Sequence, residues 1–241
     1  VTPKMPKGGR VDCVEPSPHQ EGKAYVAVLR YQLGDWKPYL FKTTDYGANW
    51  TAITNGIPDD QPTRTIREDP EKEGVLYAGT EFGLYISFDD GTNWESFQQN
   101  LPVTPITDIK VFRNDLILST MGRGFYIMDN ISALHSIKTV SSKGAHLFKP
   151  ETAHRFRYRY NGEGKYPEYP DAAVTIDYYL KDKSESDIIL EITDKDGNTI
   201  SSFTSAARPK SDKGSTDMAT GFFTKGGKPG LPNKAGSNRF N

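Results

Sequence analysis

The chain has 241 residues, with 30 Lys plus Arg against 31 Asp plus Glu and a formal net charge of −1. That balance provides no long-range field to draw in nucleic acid or an anionic membrane, so any partner has to be recognised locally. Cys13 is the only cysteine, which excludes an intrachain disulfide, a CxxC metal knuckle and a redox pair, and no apolar run approaches the roughly 18 residues of a membrane span.

The length allows one large or two ordinary domains, and two are expected. Dense Gly and Pro together with abundant aromatics suit many short strands joined by tight turns, an all-β chain. In chain order, an innermost-strand candidate opens at Val11–Val14 and is followed by a β-rich segment at Ala24–Val28. The run Thr43-Thr-Asp45-Tyr-Gly47-Ala-Asn49-Trp50 comes next, then a second pair of strands at Thr65–Arg67 and Val75–Gly79. Ser87-Phe-Asp89-Asp-Gly91-Thr-Asn93-Trp94 repeats the earlier run without a gap, 44 residues on. That period is about what one four-stranded propeller blade needs. A third set, Ile106–Phe112, Leu116–Thr120 and Gly124–Asp129, keeps the strands and loses the cassette.

The cassette has the chemistry of a hairpin turn. Asp accepts from turn amides, Gly takes a positive φ that other residues resist, and the hydroxyl ties the turn from the other side. The Trp that follows can bury its ring between neighbouring sheets. Thr43, Asp45, Gly47, Trp50, Ser87, Asp89, Gly91 and Trp94 are therefore read as structural. Three blades are expected over roughly 11–135.

From about 146 the pattern changes. Ala172–Leu180, Asp187–Thr193 and Thr199–Thr204 are strand candidates, the last two joined across Asp196-Gly197, a strong hairpin signal. The Gly, Ser and Lys-rich stretch Ala207–Thr220 reads as a loop, Lys225–Asn233 as a linker and Asn238–Asn241 as a strand stopped partway. The expected division is 1–140 for the blades and 141–241 for an incomplete, Ig-like β-sandwich.

Several constellations resolve to plain structure. Asp194–Asn198 lacks the Gly and Glu positions of an EF-hand and reads as a hairpin, and Asp59-Asp60 as a loop pair. Arg155, Arg157 and Arg159 alternate with Phe156, Tyr158 and Tyr160, which suits a strand with one wet face better than a nucleic-acid platform. His19, His135, His146 and His154 show no HxH or HExxH spacing, so neither a metal nor a cofactor is expected. Gly122-Arg-Gly124 lacks the ending of a phosphate loop and reads as a turn.

The runs Pro38–Trp50, Arg67–Pro70, Leu76–Thr80, Gly83–Gly91 and Gly122–Asp129, in that order, resemble the bacterial sortilin-like, Asp-box (BNR) repeat β-propeller proteins over roughly 11–137. The segment from His146–Pro150 onward resembles the sandwich that follows the propeller in the same proteins. The resemblance implies a secreted or cell-envelope protein longer than this chain, with further blades. Sialidases and xyloglucan-cleaving propellers also carry Asp boxes, but on the rim and away from their catalytic residues, so the shared motif conveys architecture and not chemistry.

The expected function is extracytoplasmic binding or scaffolding. A peptide, protein or glycan would be held at the channel mouth with Arg64, Arg67, Glu68 and Arg123 as contacts, and no catalytic residue is assigned. One alternative is a glycoside hydrolase of sialidase or xyloglucanase type whose catalytic carboxylates lie largely outside this chain. Another is a subunit of a cell-surface assembly in which neighbouring chains complete the propeller, since ordinary propellers have roughly four to eight blades.

Overall fold

The structure is a computed structural model and describes residues 5–153, 173–206 and 230–241. The chain forms two compact units, Val1–His135 and Ser136–Asn241.

The first unit is three antiparallel meanders in succession. β1 (Arg10–Pro16), β2 (Ala24–Leu29), β3 (Leu40–Thr43) and β4 (Thr51–Ala52) make a sheet in sequence order. β5 (Thr63–Glu68), β6 (Leu76–Thr80), β7 (Leu84–Ser87) and β8 (Glu95–Ser96) make the next. β9 (Ile106–Phe112), β10 (Asp115–Thr120) and β11 (Phe125–Met128) make a three-stranded third. The first strands of the three sheets are neighbours. Arg67 of β5 reaches β1 at Glu15, 3.0 Å away, and β9 at the Ile109 carbonyl, 2.8 Å away. Sheets that share a central row of first strands and stack their faces on each other are propeller blades.

Each pair of blades is sealed by its own apolar layer. Tyr25, Leu40, Ile53 and Ile57 of the first blade close on Ile66, Leu76, Ala78 and Trp94 of the second. Tyr77, Leu84 and Ile86 of the second close on Ile106, Ile109, Leu116 and Leu118 of the third. Gly79 allows the second seam to close, since a Cβ there would sit 2.7 Å from Thr65 Cγ2 and 2.8 Å from Ile106 Cβ.

The two cassettes share the same turn hydrogen bonds. In the first, Thr43 Oγ1 donates to Asp45 Oδ1 (2.8 Å) and accepts from Gly47 N–H (3.0 Å), while Asn49 N–H and Nδ2 donate to the two Asp45 oxygens, both at 2.8 Å. In the second, Ser87, Asp89, Gly91 and Asn93 repeat these bonds at 2.9, 3.0, 2.8 and 2.7 Å. Gly47 and Gly91 have φ of 87° and 81°, the left-handed region that favours glycine. The residue after each Asp also repeats: Tyr46 N–H and Asp90 N–H donate to the carbonyls of Gly22 and Gly74, both at 2.9 Å.

Both tryptophans are buried immediately before the fourth strand of their blades. Trp94 donates its indole N–H to the Ile53 carbonyl of the preceding blade, 2.7 Å away. Trp50 packs on Val26, Val28 and Phe41 with Met5 against it, and its N–H returns to Gly47 of its own turn.

Side chains diverge where one blade meets the next. Asp90 accepts from Tyr25 Oη at 2.5 Å, Lys42 Nζ at 2.9 Å and Lys23 Nζ at 3.0 Å, all from the first blade. Burial works to raise the Asp90 carboxyl, yet the hydrogen bonds of Tyr25, Lys42 and Lys23 hold it below the usual carboxylate range.

The second unit begins with a short helix, α1 (Ile137–Val140). β12 (Ala145–Leu147), β13 (Ile176–Leu180) and β16 (Gly236–Phe240) pair with β13 in the middle, and β14 (Ile189–Thr193) and β15 (Thr199–Thr204) form a hairpin. Ile176, Tyr178, Leu180, Leu231 and Phe240 pack with Ile188, Leu190 and Phe203, so the two layers share one core, as in a sandwich. The hairpin turn carries the same Asp-to-Asn clamp as the blades: Asn198 N–H and Nδ2 donate to Asp194 Oδ1 and Oδ2 at 2.9 and 3.0 Å. The alternating stretch from Arg155 to Tyr160, with His154, lies outside the described residues, as do Ala207–Thr220 and most of the Lys225–Asn233 stretch.

Candidate functional site

Every blade of the first unit has two ends. The cassettes and the β1–β2, β5–β6 and β9–β10 connections lie at one. At the other, the first strands begin and the β2–β3, β6–β7 and β10–β11 connections lie. This second end holds a cleft of about 360 Å³ lined by Tyr31, Trp36, Arg64, Glu81, Phe82, Val103, Thr104, Pro105 and Met121.

A difference in hairpin length creates it. Ala24 pairs with Thr43 in the first blade and Leu76 with Ser87 in the second, so the first hairpin spans eight more residues. The extra chain forms a 3₁₀ turn at Tyr31–Leu33, closed by Gly34, and presents Tyr31 and Trp36. Trp36 lies over Phe82 of the β6–β7 turn with ring centroids 6.3 Å apart and planes 20° from parallel. Tyr31 meets Trp36 at 5.9 Å. The rim is open and apolar: Trp36 is 48% exposed, Phe82 37%, Val103 73% and Met121 56%.

Charge enters this cleft as a closed pair. Arg64 Nε and Nη2 both lie 2.6 Å from Glu81 Oε1, with Asp12 at 3.9 Å, and the guanidinium stands 5.7 Å from the Tyr31 ring. Arg64 is buried. Glu81 is the one carboxylate among the lining residues.

The four residues expected as ligand contacts do not form one site. Arg64 is part of the cleft wall. Arg123 is exposed on the β10–β11 turn, the same turn that gives Met121 to the cleft, but does not line it. Arg67 is instead a brace between first strands: besides Ile109 and Glu15 it binds Asp108 at 2.8 Å and donates to Cys13 Sγ. Burial pushes the Glu15 carboxyl up, against the pull of Arg67. Glu68 cannot touch a ligand, because its side chain is fully buried, 3.5 Å from Lys23 Nζ and accepting from Gly74 N–H. The expectation for Glu68 is thus corrected. An inner-strand position next to a wide channel in an isolated sheet becomes a seam position once a neighbouring blade packs on it.

Two histidines without metal spacing meet at Asp69, at the cassette end. Asp69 Oδ2 is 3.0 Å from His135 Nε2 and accepts from Tyr77 Oη at 3.1 Å, and its carbonyl is 2.7 Å from His19 Nε2. Burial opposes ionisation of Asp69, but the His135 hydrogen bond and that of Glu71 N–H keep its carboxyl below the usual range. Among the described residues there is no group of three His, Cys, Asp or Glu side chains placed to hold a metal ion, and no helix long and apolar enough to cross a membrane.

Sequence reasoning missed Tyr31, Trp36, Glu81, Phe82, Val103 and Met121. The signal was present in the repeat itself, in the eight residues by which its first copy exceeds its second between matched strand positions.

No known protein family matches the chain, and no curated protein does. Similar solved structures include the GH74 xyloglucanase from Xanthomonas campestris, 18% identical over 54% of this chain and 22% of that one, with a TM-score of 0.42. The GH74 enzyme of Niastella koreensis is 15% identical over 50% of this chain and 21% of that one, TM-score 0.41. YCF48 bound to D1 peptide is 17% identical over 50% and 36% respectively, TM-score 0.37. The chain spans between 21% and 36% of the length of these three.

Proposed function

We propose that this chain is part of a secreted or cell-envelope binding or scaffold protein, related to the sortilin-like Asp-box propellers, that holds a peptide, protein or glycan on the cleft end of its blades. The observation that carries the reading is the cleft itself: exposed aromatic rings from two blades, an apolar rim from the third, and a buried ion pair that fixes their wall. Exposed apolar surface of this kind on a rigid β framework is characteristic of interaction sites. The extracytoplasmic location follows from the sequence resemblance.

The test is a panel of immobilised peptides, proteins and glycans probed with the full chain and with Trp36→Ala and Val103→Asp. Ligands that bind the parent should bind both variants more weakly. Ligands held equally by all three would refute the cleft as the binding surface.

A further inference from the structure

We infer that β11, the outer strand of the third blade, pairs antiparallel with β11 of a second copy of this chain, an interface separate from the cleft and additional to the binding reading above. The two complete blades show what belongs on this edge. Their third strands, β3 and β7, are four residues long like β11, and each carries a fourth strand of two residues, β4 or β8. Ile53 N–H donates to the Leu40 carbonyl at 2.9 Å, and Phe97 N–H to the Leu84 carbonyl at 2.8 Å. β11 ends its sheet, so among the described residues no strand stands at the matching place beside Phe125.

The hairpin sets the direction of the groups on that edge. Thr120 N–H donates to the Gly124 carbonyl at 3.1 Å, and bonding alternates from there along an antiparallel pair. Tyr126 and Met128 therefore bond to β10, whereas Phe125 and Ile127 aim their N–H and C=O out of the sheet. Their side chains stand out as well, at 77% and 60% exposure. Proteins ordinarily blunt such an edge by keeping it short, or with lysine, proline or a bulge. β4 and β8 are short, but β11 is longer, apolar and uncharged from Phe125 to Met128.

The residues that bracket the edge select a second copy as its partner. Arg123 and Asp129, both exposed, flank the uncharged run Gly124–Met128 with opposite signs. A two-fold axis at Tyr126 sets Phe125 of each copy opposite Ile127 of the other, and every outward N–H and C=O of these residues then meets a partner. The same axis sets Arg123 of each copy opposite Asp129 of the other. Asp129 also has a partner within its own chain, and a carboxylate has acceptor sites for both. An aromatic residue facing a β-branched one is a favoured cross-strand pair, and the charges fix the register. A parallel arrangement, or a slip of the register, would separate them.

Sedimentation velocity of the full chain over a wide range of concentration tests this. So short an edge makes a small interface, so the mass should rise from 26.9 kDa toward twice that value at roughly 10–100 μM. Ile127→Lys and Arg123→Glu, both at exposed positions, should each weaken the dimer about tenfold or more. Asp129→Lys should do the same. Arg123→Glu mixed with Asp129→Lys should associate as tightly as the parent, because the mixed pair joins unlike charges where either variant alone sets like charges together. Trp36→Ala, in the cleft, should dimerise as the parent does. Thermal midpoints equal to that of the parent guard against a folding defect, and Ile127→Lys with Arg123→Glu carries the test if Asp129→Lys unfolds.

A parent that stays monomeric throughout, the outcome for an edge that takes a strand of another polypeptide, overturns the inference. A dimer that Ile127→Lys and Arg123→Glu leave unchanged overturns it too. So does a mixture of folded variants that associates no more tightly than its components, since that rules out the antiparallel register. Loss of the dimer in Trp36→Ala would move the interface to the cleft and overturn the inference likewise.

Discussion

Replacing Arg67 with Leu should weaken the junction of all three blades at once. The substitution removes the bonds to the Ile109 carbonyl (2.8 Å), Glu15 (3.0 Å) and Asp108 (2.8 Å), and leaves Glu15 near the blade seam without its cation. Breaking a fully buried pair costs about 3–5 kcal/mol, whereas an exposed one is worth about 0–1. The Arg67 and Glu15 side chains are 23% and 19% exposed, so the expected loss lies between, at about 2 kcal/mol. For a unit of this size that is a fall of roughly 6–8 °C in Tm at neutral pH, measured by circular dichroism or calorimetry. The pH dependence carries a sign. Folding raises the Glu15 carboxyl above its ordinary 4.5, so the cost to stability builds as the pH rises from 4.5 to the folded value, is complete above it, and vanishes only below 4.5. Without Arg67 the cost grows, so the deficit of Arg67→Leu should be largest above neutral pH and shrink as the pH falls toward 5. Adding Glu15→Gln should restore about 1 kcal/mol, as a double-mutant cycle would show. A Tm within about 2 °C of the parent, with no change between pH 8 and 5, would refute the brace and leave apolar packing as the sole tie between first strands.

Trp94→Phe removes the bond to the buried Ile53 carbonyl and should cost about 1–2 kcal/mol in urea unfolding, more than Trp50→Phe, whose acceptor is on a solvent-accessible turn. Asp69→Asn should cost about 1–2 kcal/mol at pH 7 through weakened bonds to His135 and Tyr77. Because folding lowers the Asp69 carboxyl below its ordinary 3.8, that advantage is present above this value and is lost as the pH falls through the folded value, so parent and variant stabilities should still differ at about pH 4 and converge only below the folded value. Gly79→Ala should destabilise by about 1–3 kcal/mol, read as a lower Tm, because its methyl group meets Thr65 and Ile106 on two sides.

The turns were legible in the sequence because their chemistry is local. Asp45 with Asn49, and Asp89 with Asn93, close their rings within five residues, so matching residues imply matching geometry. The same locality explains why Asp194 and Asn198 read as a hairpin and fold as one. The cleft was not legible because its wall is assembled from residues as distant as Tyr31 and Met121, and no periodicity links them. Arg67 and Glu68 show the complementary limit. Alternation along a strand assigns side chains to two faces, but in a blade both faces meet neighbours, and only packing decides which polar residue is consumed at a seam. Trp36 was hidden for a third reason, since a ring in an irregular connection follows no pattern until the lengths of equivalent connections are compared.

A chain built from near-copies has to keep them from docking in one another's slots. The position following the cassette aspartate is Tyr46 in one copy, exposed and bonded to Glu21 of its own blade, and Asp90 in the other, inserted among Lys23, Tyr25 and Lys42 next door. Had the tyrosine-bearing copy been threaded into that place, Lys23 would sit almost fully buried with one fewer counter-charge. One of the four positions at which the two eight-residue runs differ thus acts as a lock on assembly order, permitting the hairpins to be duplicated without becoming interchangeable.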